Sequence, residues 1–231
     1  MVMRLHRFFI KERVAGESFK ICEERLIHQW RNVFRYNTGS EVCLFDGSGF
    51  EYSAVIESLS NREAMMRIVS KRKGVLPEKK IVLFQSLVKK DNMEWIAEKA
   101  TELGVSKIVP VVSERSEKKD LNIERLEKIV IEASEQCGRA DVPEMGSIEQ
   151  LASSLEGLEG EFVVFDSSGV SFDPSLFSTD YKLLSIFIGP EGGWSPKEIE
   201  EFKNAGAKVY SLGKLTLRAE TAAIAALSRF L

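Results

Sequence analysis

The sequence predicts an α/β protein in two parts, a small β-rich barrel or sandwich followed by a larger domain with a parallel sheet covered by helices. Three observations lead there. The first stretch, roughly 70 residues, is dominated by apolar residues at every second position, as in half-buried strands. After it, short apolar runs alternate with segments of helical periodicity, the rhythm of βα units. Between the two lies Lys71–Lys80, charged and interrupted by Gly74 and Pro77, which places a boundary between residues 1–72 and 73–231.

Within the first part, Arg4–Ile10 reads as a strand. Glu24–Tyr36 reads as one helix, because Leu26, Trp30, Val33 and Phe34 share a face at helical spacing. Glu41–Asp46, Phe50–Leu59 and Ala64–Val69 read as strands, and Asp46-Gly47-Ser48-Gly49 supplies a hairpin turn between the first two. In the second part, Ile81–Gln85, Lys107–Val112, Phe162–Phe165, Leu183–Ile188 and Val209–Leu212 are compact apolar strands. Met93, Ile96, Ala97, Ala100 and Leu103 mark the buried face of a helix that Gly104 closes. Ile123, Leu126, Ile129, Val130 and Ala133 mark a second, and further helices follow at about 196–205 and 219–230.

Composition narrows the function classes. At 44% apolar and 29% charged residues the chain is neither disordered nor fibrous. No apolar run approaches the ~20 residues of a membrane span, and Met1–Ile10, with Arg4 and Arg7 inside it, lacks a signal-peptide layout. Three cysteines, far apart, argue against a disulfide framework or a zinc site and fit a reducing cytoplasm. Two histidines leave no material for a histidine cluster, so no metal is expected. Residues 1–75 hold thirteen Lys and Arg against nine Asp and Glu, whereas the remainder holds nineteen against twenty-six. That asymmetry suggests a basic module facing an acidic polymer beside an acidic module with another task.

Chemistry concentrates in a few segments. Gly189-Pro190-Glu191-Gly192-Gly193-Trp194-Ser195-Pro196-Lys197-Glu198 leaves a buried strand and opens a helix. Ser195, Pro196 and Glu198 fall at N-cap, N1 and N3, a capping box. The glycines let a ligand approach the main chain, and in open α/β sheets ligands bind at the carboxyl ends of strands. Leu212–Ala222 also leaves a strand and enters a helix, rich in alanine at 222, 223, 225 and 226, where small side chains admit close packing or a close ligand loop. Glu132–Arg139 ends the second helix, and Ser113–Ser116 leaves a strand end. Neither the P-loop pattern nor an early G-x-G-x-x-G occurs, so a conventional nucleotide cradle is disfavoured.

Gly189–Ser195, Leu212–Ala222, Glu135–Arg139, Lys99–Val105 and the His6-Arg7-Phe8-Phe9 start, in this order, resemble the RsmE family along essentially the whole chain. The resemblance implies a SPOUT-type α/β domain with a C-terminal trefoil knot, preceded by a PUA-like β-barrel that binds RNA. It implies S-adenosyl-L-methionine as cofactor, a homodimer, and methylation of N3 of a uridine in 16S ribosomal RNA of the small subunit. By motif match the cofactor residues are Gly189, Pro190, Glu191, Gly192, Gly193, Leu212, Gly213, Leu217, Arg218, Ala219, Thr221 and Ala222, with Asp166–Ser167 as a further loop. Trp194 stands where relatives commonly carry Phe, and Leu215 where Arg is common. Methylating uracil N3 requires loss of its proton. Arg139 and Arg218 are candidates to stabilise charge on the base carbonyls, and Glu220 to accept the proton. Arg4, Arg7, Lys11, Arg31, Arg35 and Arg115 are candidate RNA contacts. Phe8, Trp30 and Phe34 are read as core rather than as base-stacking platforms. Other readings fit the residues: a SPOUT methyltransferase acting on another RNA or on a ribose 2′-hydroxyl, a non-catalytic RNA-binding protein, or, less well with a basic N-terminal module, an enzyme of small molecules.

Overall fold

The structure, a computed structural model, describes residues 5–117, 120–173 and 181–230. Arg4 lies outside them. The chain forms two compact units, Met1–Leu76 with Ser134–Val142, and Pro77–Ala133 with Pro143–Leu231.

The first unit is a five-stranded sheet. Its strands are β1 (Arg7–Phe9), β2 (Ser18–Ile21), β3 (Glu41–Phe45), β4 (Phe50–Leu59) and β5 (Ala64–Lys73), in the order β1-β3-β4-β5-β2. The β1–β3 pair is parallel and the others antiparallel. The short strand β2 is not evident from the sequence pattern. β5 runs past its expected end because its charged tail has cross-strand partners. Lys71 sits 4.0 Å above the ring of Phe50, and Arg72 pairs with Glu51 at 2.6 Å. The expected single helix at Glu24–Tyr36 is an α-helix, α1 (Glu24–His28), that continues as a π-helical turn over Gln29–Val33. The wider turn, closed by Phe34 N–H donating to the Gln29 carbonyl, rotates later residues off the helical face. Leu26 and Trp30 therefore reach the core while Val33 is 63% exposed. Phe8 and Trp30 are fully buried and meet edge-to-face at 5.5 Å, with Phe34 packed against them, so these rings are core.

Residues 134–142 belong to this unit through main-chain and charged contacts. Glu135 accepts from the Phe9 N–H at 2.9 Å and pairs with Arg25, whose guanidinium also donates to the Phe9 carbonyl. Ala140 N–H donates to the Val75 carbonyl at 2.7 Å. Buried Glu51 accepts from Arg7, and Arg7 in turn donates to the Arg139 carbonyl at 2.7 Å.

The turn between β3 and β4 is organised by Asp46, which is buried. It accepts from the Val14 and Ser48 N–H groups and the Ser48 hydroxyl, with Arg13 at 3.5 Å. Gly47 and Gly49 supply the positive φ the turn requires. Burial by itself raises the Asp46 pKa, but the hydrogen bonds from Ser48 and Val14 and the charge of Arg13 outweigh it and hold the carboxyl below its ordinary 3.8. A depressed folded-state pKa stabilises the protein above the ordinary value, and that contribution disappears as pH falls through the folded value. Asp46→Asn is therefore expected to lower the melting temperature near neutrality and to flatten the loss of stability below about pH 4, measured by thermal denaturation from pH 7 to 2.5.

The second unit carries a parallel sheet. Its elements are β6 (Lys80–Ser86), α2 (Lys90–Glu102), β7 (Lys107–Val112), α3 (Ile123–Cys137, whose last turn groups with the first unit), β8 (Glu144–Met145), β9 (Glu149–Gln150), α4 (Leu151–Leu155), β10 (Glu161–Ser171), β11 (Leu183–Ile188), α5 (Pro196–Asn204), β12 (Lys208–Ser211) and α6 (Ala219–Leu227). The strand order is β12-β10-β11-β6-β7-β8, with β9 beside β7, and every described pairing is parallel. α2 ends in a Schellman motif, Gly104 and Val105 donating to the Thr101 and Ala100 carbonyls, with Gly104 at φ +81°. One face of the sheet buries Phe84, Val164 and Phe187 with Leu151 of α4 and Phe202 of α5. α6 packs against β11 and α2, which its alanines permit.

Candidate active site

A cleft opens at the carboxyl ends of β10, β11 and β12, with a volume of about 220 Å³. Three local features build it. The first is a register slip. Phe165 and Val170 both pair with Tyr210, so residues 166–169 leave the ladder as a bulge. A Cβ at Gly169 would lie 2.6 Å from the Tyr210 backbone, so only glycine lets the strand return. The bulge delivers Asp166 and Ser167 to the cleft wall. Ser168 donates to one Asp166 oxygen through its N–H at 2.8 Å and its hydroxyl at 2.6 Å, which sets the carboxylate's orientation.

The second feature is the loop after β11. Its end is pinned by the capping box at the start of α5. Ser195 Oγ accepts from the Glu198 N–H at 3.2 Å, and Glu198 Oε2 accepts from the Ser195 N–H at 2.7 Å. The other Glu198 oxygen accepts from the Glu114 N–H at 2.8 Å, joining the loops that follow β11 and β7. Trp194 is buried on Phe202 at 4.8 Å between ring centres. A Cβ at Gly189 would press on its indole at 3.3 Å. Arg115 donates to the carbonyls of Gly192 (3.0 Å) and Trp194 (3.3 Å). The third feature is the loop from β12 to α6, with Gly213 at φ +143°.

The cleft brings together most of the residues expected to hold the cofactor: Gly189, Pro190, Glu191, Gly192 and Gly193 on one side, Leu212, Gly213, Leu217, Ala219 and Ala222 on the other. Arg218 and Thr221 are not among its lining residues; Arg218 is exposed, its side chain 86% open to solvent. Glu220, next to it, is also not among the lining residues; its side chain is only 15% exposed, with Oε1 4.0 Å from Arg218 and Oε2 buried without a hydrogen-bond partner among the described residues. Arg139 is not at the cleft. It is buried in the segment that groups with the first unit, its guanidinium held by Asp141 in two bonds of 2.9 Å. Arg7 is likewise consumed by Glu51 and the Arg139 carbonyl. Lys11, Arg31 and Arg35 make no ion pair among the described residues, and Arg31 and Arg35 line one polar surface cavity with Asn32 and Asn37. Arg35 is held at φ +54°. The motif reading left Phe165, Ile188, Ser211, Leu215 and Thr216 without a role in the cleft, yet all line it. The apolar strand ends adjoining the glycine loops were the available signal for Phe165 and Ile188. Leu215 and Thr216 lay inside a motif already singled out.

Glycine-bearing loops converge at the carboxyl ends of parallel strands, the place where enzymes with open α/β sheets bind their ligands. Residues 76–231 match the family of RNA methyltransferase domains and residues 31–65 that of RNA methyltransferase PUA domains, and the chain belongs to this RNA methyltransferase family. It is 30% identical to the Ribosomal RNA small subunit methyltransferase E of Rickettsia conorii, over 98% of this chain and 95% of that protein. A methyltransferase from Legionella pneumophila, solved with bound cofactor SAM, superposes with a TM-score of 0.92 at 28% identity, covering 99% of this chain and 97% of the other. The Ribosomal RNA small subunit methyltransferase E of Neisseria gonorrhoeae, bound to S-adenosyl methionine, gives 0.88 at 28% identity, covering 97% and 96%. The architecture is thus a PUA-like domain followed by a SPOUT-type α/β domain.

Glu198→Ala removes the acceptor of two main-chain N–H groups and is expected to cost about 2–4 kcal/mol, with a fall in melting temperature of roughly 5–15 °C by differential scanning calorimetry. Glu198→Gln, which retains one acceptor, is expected to lose about half as much.

Proposed function

We propose that this protein is an S-adenosylmethionine-dependent methyltransferase that modifies N3 of one uridine in 16S ribosomal RNA, working in the cytoplasm as a homodimer. The supporting observation is the cleft, in a chain alike over nearly its full length to proteins bound to S-adenosylmethionine. The residues present fit that cofactor. Phe165, Ile188, Leu212 and Leu217 offer apolar walls for an adenine ring, glycines open the main chain, and Asp166 and Glu191 supply carboxylates for its cationic end. When bound, S-adenosylmethionine supplies a methyl group on a sulfonium, which needs only a nucleophile aligned behind it. The protein's part is to orient that nucleophile and to take up its proton.

Glu220 is the residue we favour for the proton. It does not itself line the cleft, but it follows cleft residue Ala219 in the first turn of α6, and its Oε2 is unpartnered among the described residues. Arg218, exposed and paired only loosely with Glu220 at 4.0 Å, is the candidate to meet negative charge on the base carbonyls. For Arg139 the geometry favours a structural role: it holds Asp141 within the first unit. Arg115 is better read as a clamp on the 192–194 carbonyls than as an RNA contact. Supporting the homodimer is Leu215, an apolar side chain that lines the cleft and is 82% exposed in the single chain. In the N-terminal unit, Arg31 and Arg35, unneutralised around one polar cavity, are the phosphate contacts we favour, with Lys11.

The direct test incubates the protein with labelled S-adenosylmethionine and small subunits from cells lacking the gene, followed by nucleoside mass spectrometry. Label in 3-methyluridine is expected; label in a 2′-O-methyl nucleoside or none at all would overturn the assignment. In the same assay Glu220→Gln is expected to slow transfer by about 100-fold or more with cofactor affinity retained, and an unchanged rate would remove Glu220 as the base.

Replacing Arg31 and Arg35 together by Ala is expected to weaken RNA binding about tenfold at moderate salt. It should also lower the slope of log K against log salt by about 1–2. A filter-binding series over salt concentration reads both; an unchanged slope places the phosphate path elsewhere.

A further inference from the structure

The ionisable side chains lining the described part of the cleft are two carboxylates, Asp166 and Glu191, and no cation lines it. Arg115, the basic residue tied to this loop, spends its guanidinium on the Gly192 and Trp194 carbonyls. Asp166 is presented with care. Ser168 engages one oxygen twice, while the other lies beside Gly193, where a Cβ would sit at ordinary contact distance, 3.6 Å. Gly193 has φ +66°, which the turn requires and glycine supplies. Glu191, the second carboxylate of the lining, accepts a long bond, 3.4 Å, from the Lys89 N–H.

This arrangement has a consequence for the ligand's charge. S-adenosylmethionine carries a sulfonium and an ammonium against one carboxylate, a net positive ligand. The product left after methyl transfer is a thioether and is neutral overall. A cleft walled by carboxylates and free of cations attracts the first more than the second. Resting on the cofactor reading above, we propose that Asp166, supported by Glu191, is a specificity-determining residue that makes the cleft discriminate S-adenosylmethionine from S-adenosylhomocysteine by charge, favouring substrate entry and product release. The apolar walls bind the part common to both ligands and cannot tell them apart. The bulged carboxylate responds to what changes in the reaction.

The test is isothermal titration calorimetry of the purified full chain with three probes. These are S-adenosylmethionine, S-adenosylhomocysteine and sinefungin, which carries an ammonium group where the methylated sulfonium would be. Asp166→Asn keeps an acceptor for Ser168 and removes the charge. It is expected to weaken S-adenosylmethionine and sinefungin by about three- to tenfold while changing S-adenosylhomocysteine by less than about twofold. Glu191→Gln is expected to act in the same direction, less strongly. Equal weakening of all three ligands, or of none, by Asp166→Asn in protein with an unchanged melting temperature would overturn the charge discrimination. If Asp166→Asn does not fold, the ratio in Glu191→Gln decides in the same way. Wild-type protein that binds none of the three would instead overturn the cofactor reading itself.

Discussion

The buried carboxylate of Glu198 is the tie on which the cleft depends. One oxygen closes the capping box of α5 and the other takes the Glu114 N–H, so a single side chain holds the loops after β11 and β7. Without it the buried Ser195 N–H would be left unpaired, at a cost of roughly 1–3 kcal/mol, and the Glu114 N–H would lose its tie to α5. With it, the chain from Gly189 to Gly193 is fixed at its far end, clamped along its length by Arg115, and seated through Trp194 on the aromatic face of the sheet. A binding loop rich in glycine has little stiffness of its own, so its shape has to come from such anchors.

The N-terminal unit uses charge differently. Arg7 and Arg25 carry positive charge that the count over residues 1–75 sets towards an acidic partner, yet each is engaged within the protein, as is Arg139 in the segment that joins this unit. Glu51, Glu135 and Asp141 meet them, and buried pairs of this kind are expensive to break by removing one member. The charge available for RNA is therefore smaller than the sequence count, and Arg31 and Arg35 are the part of it we favour as phosphate contacts. The segment 134–142 is joined to this unit by the Arg25–Glu135 pair, by Arg7 donating to the Arg139 carbonyl and by Ala140 donating to Val75, so the contacts of this motif at the end of α3 are structural ones.

Chemistry and specificity meet in the second unit through the bulge in β10. A four-residue departure from the ladder turns an ordinary strand end into a wall carrying Asp166, and it is possible only because Gly169 can lie against the Tyr210 backbone. The cleft then carries two carboxylates, Asp166 and Glu191, among apolar and glycine surfaces, a polarity suited to a cationic ligand and unsuited to phosphate.

The sequence by itself determined the alternation of strands and helices, the glycine loops, the Schellman end of α2 and the capping box of α5. These are set by residues within a few positions of one another, where periodicity and cap chemistry act directly. It also determined ten of the cleft residues, because they sit in two motifs adjoining strand ends. Only the tertiary structure decided which arginines are spent, since Arg7 and Arg139 are claimed by partners or main chain far away or buried. It alone decided that Glu24–Tyr36 breaks into an α and a π segment, that β5 runs on to Lys73, and that a bulge carries Asp166, already marked by the motif match, to the cleft. Three of these outcomes turn on contacts between residues distant in the chain: Arg7 with Glu51, Lys71 with Phe50, Gly169 with Tyr210. Local pattern carries no information about partners brought together by folding.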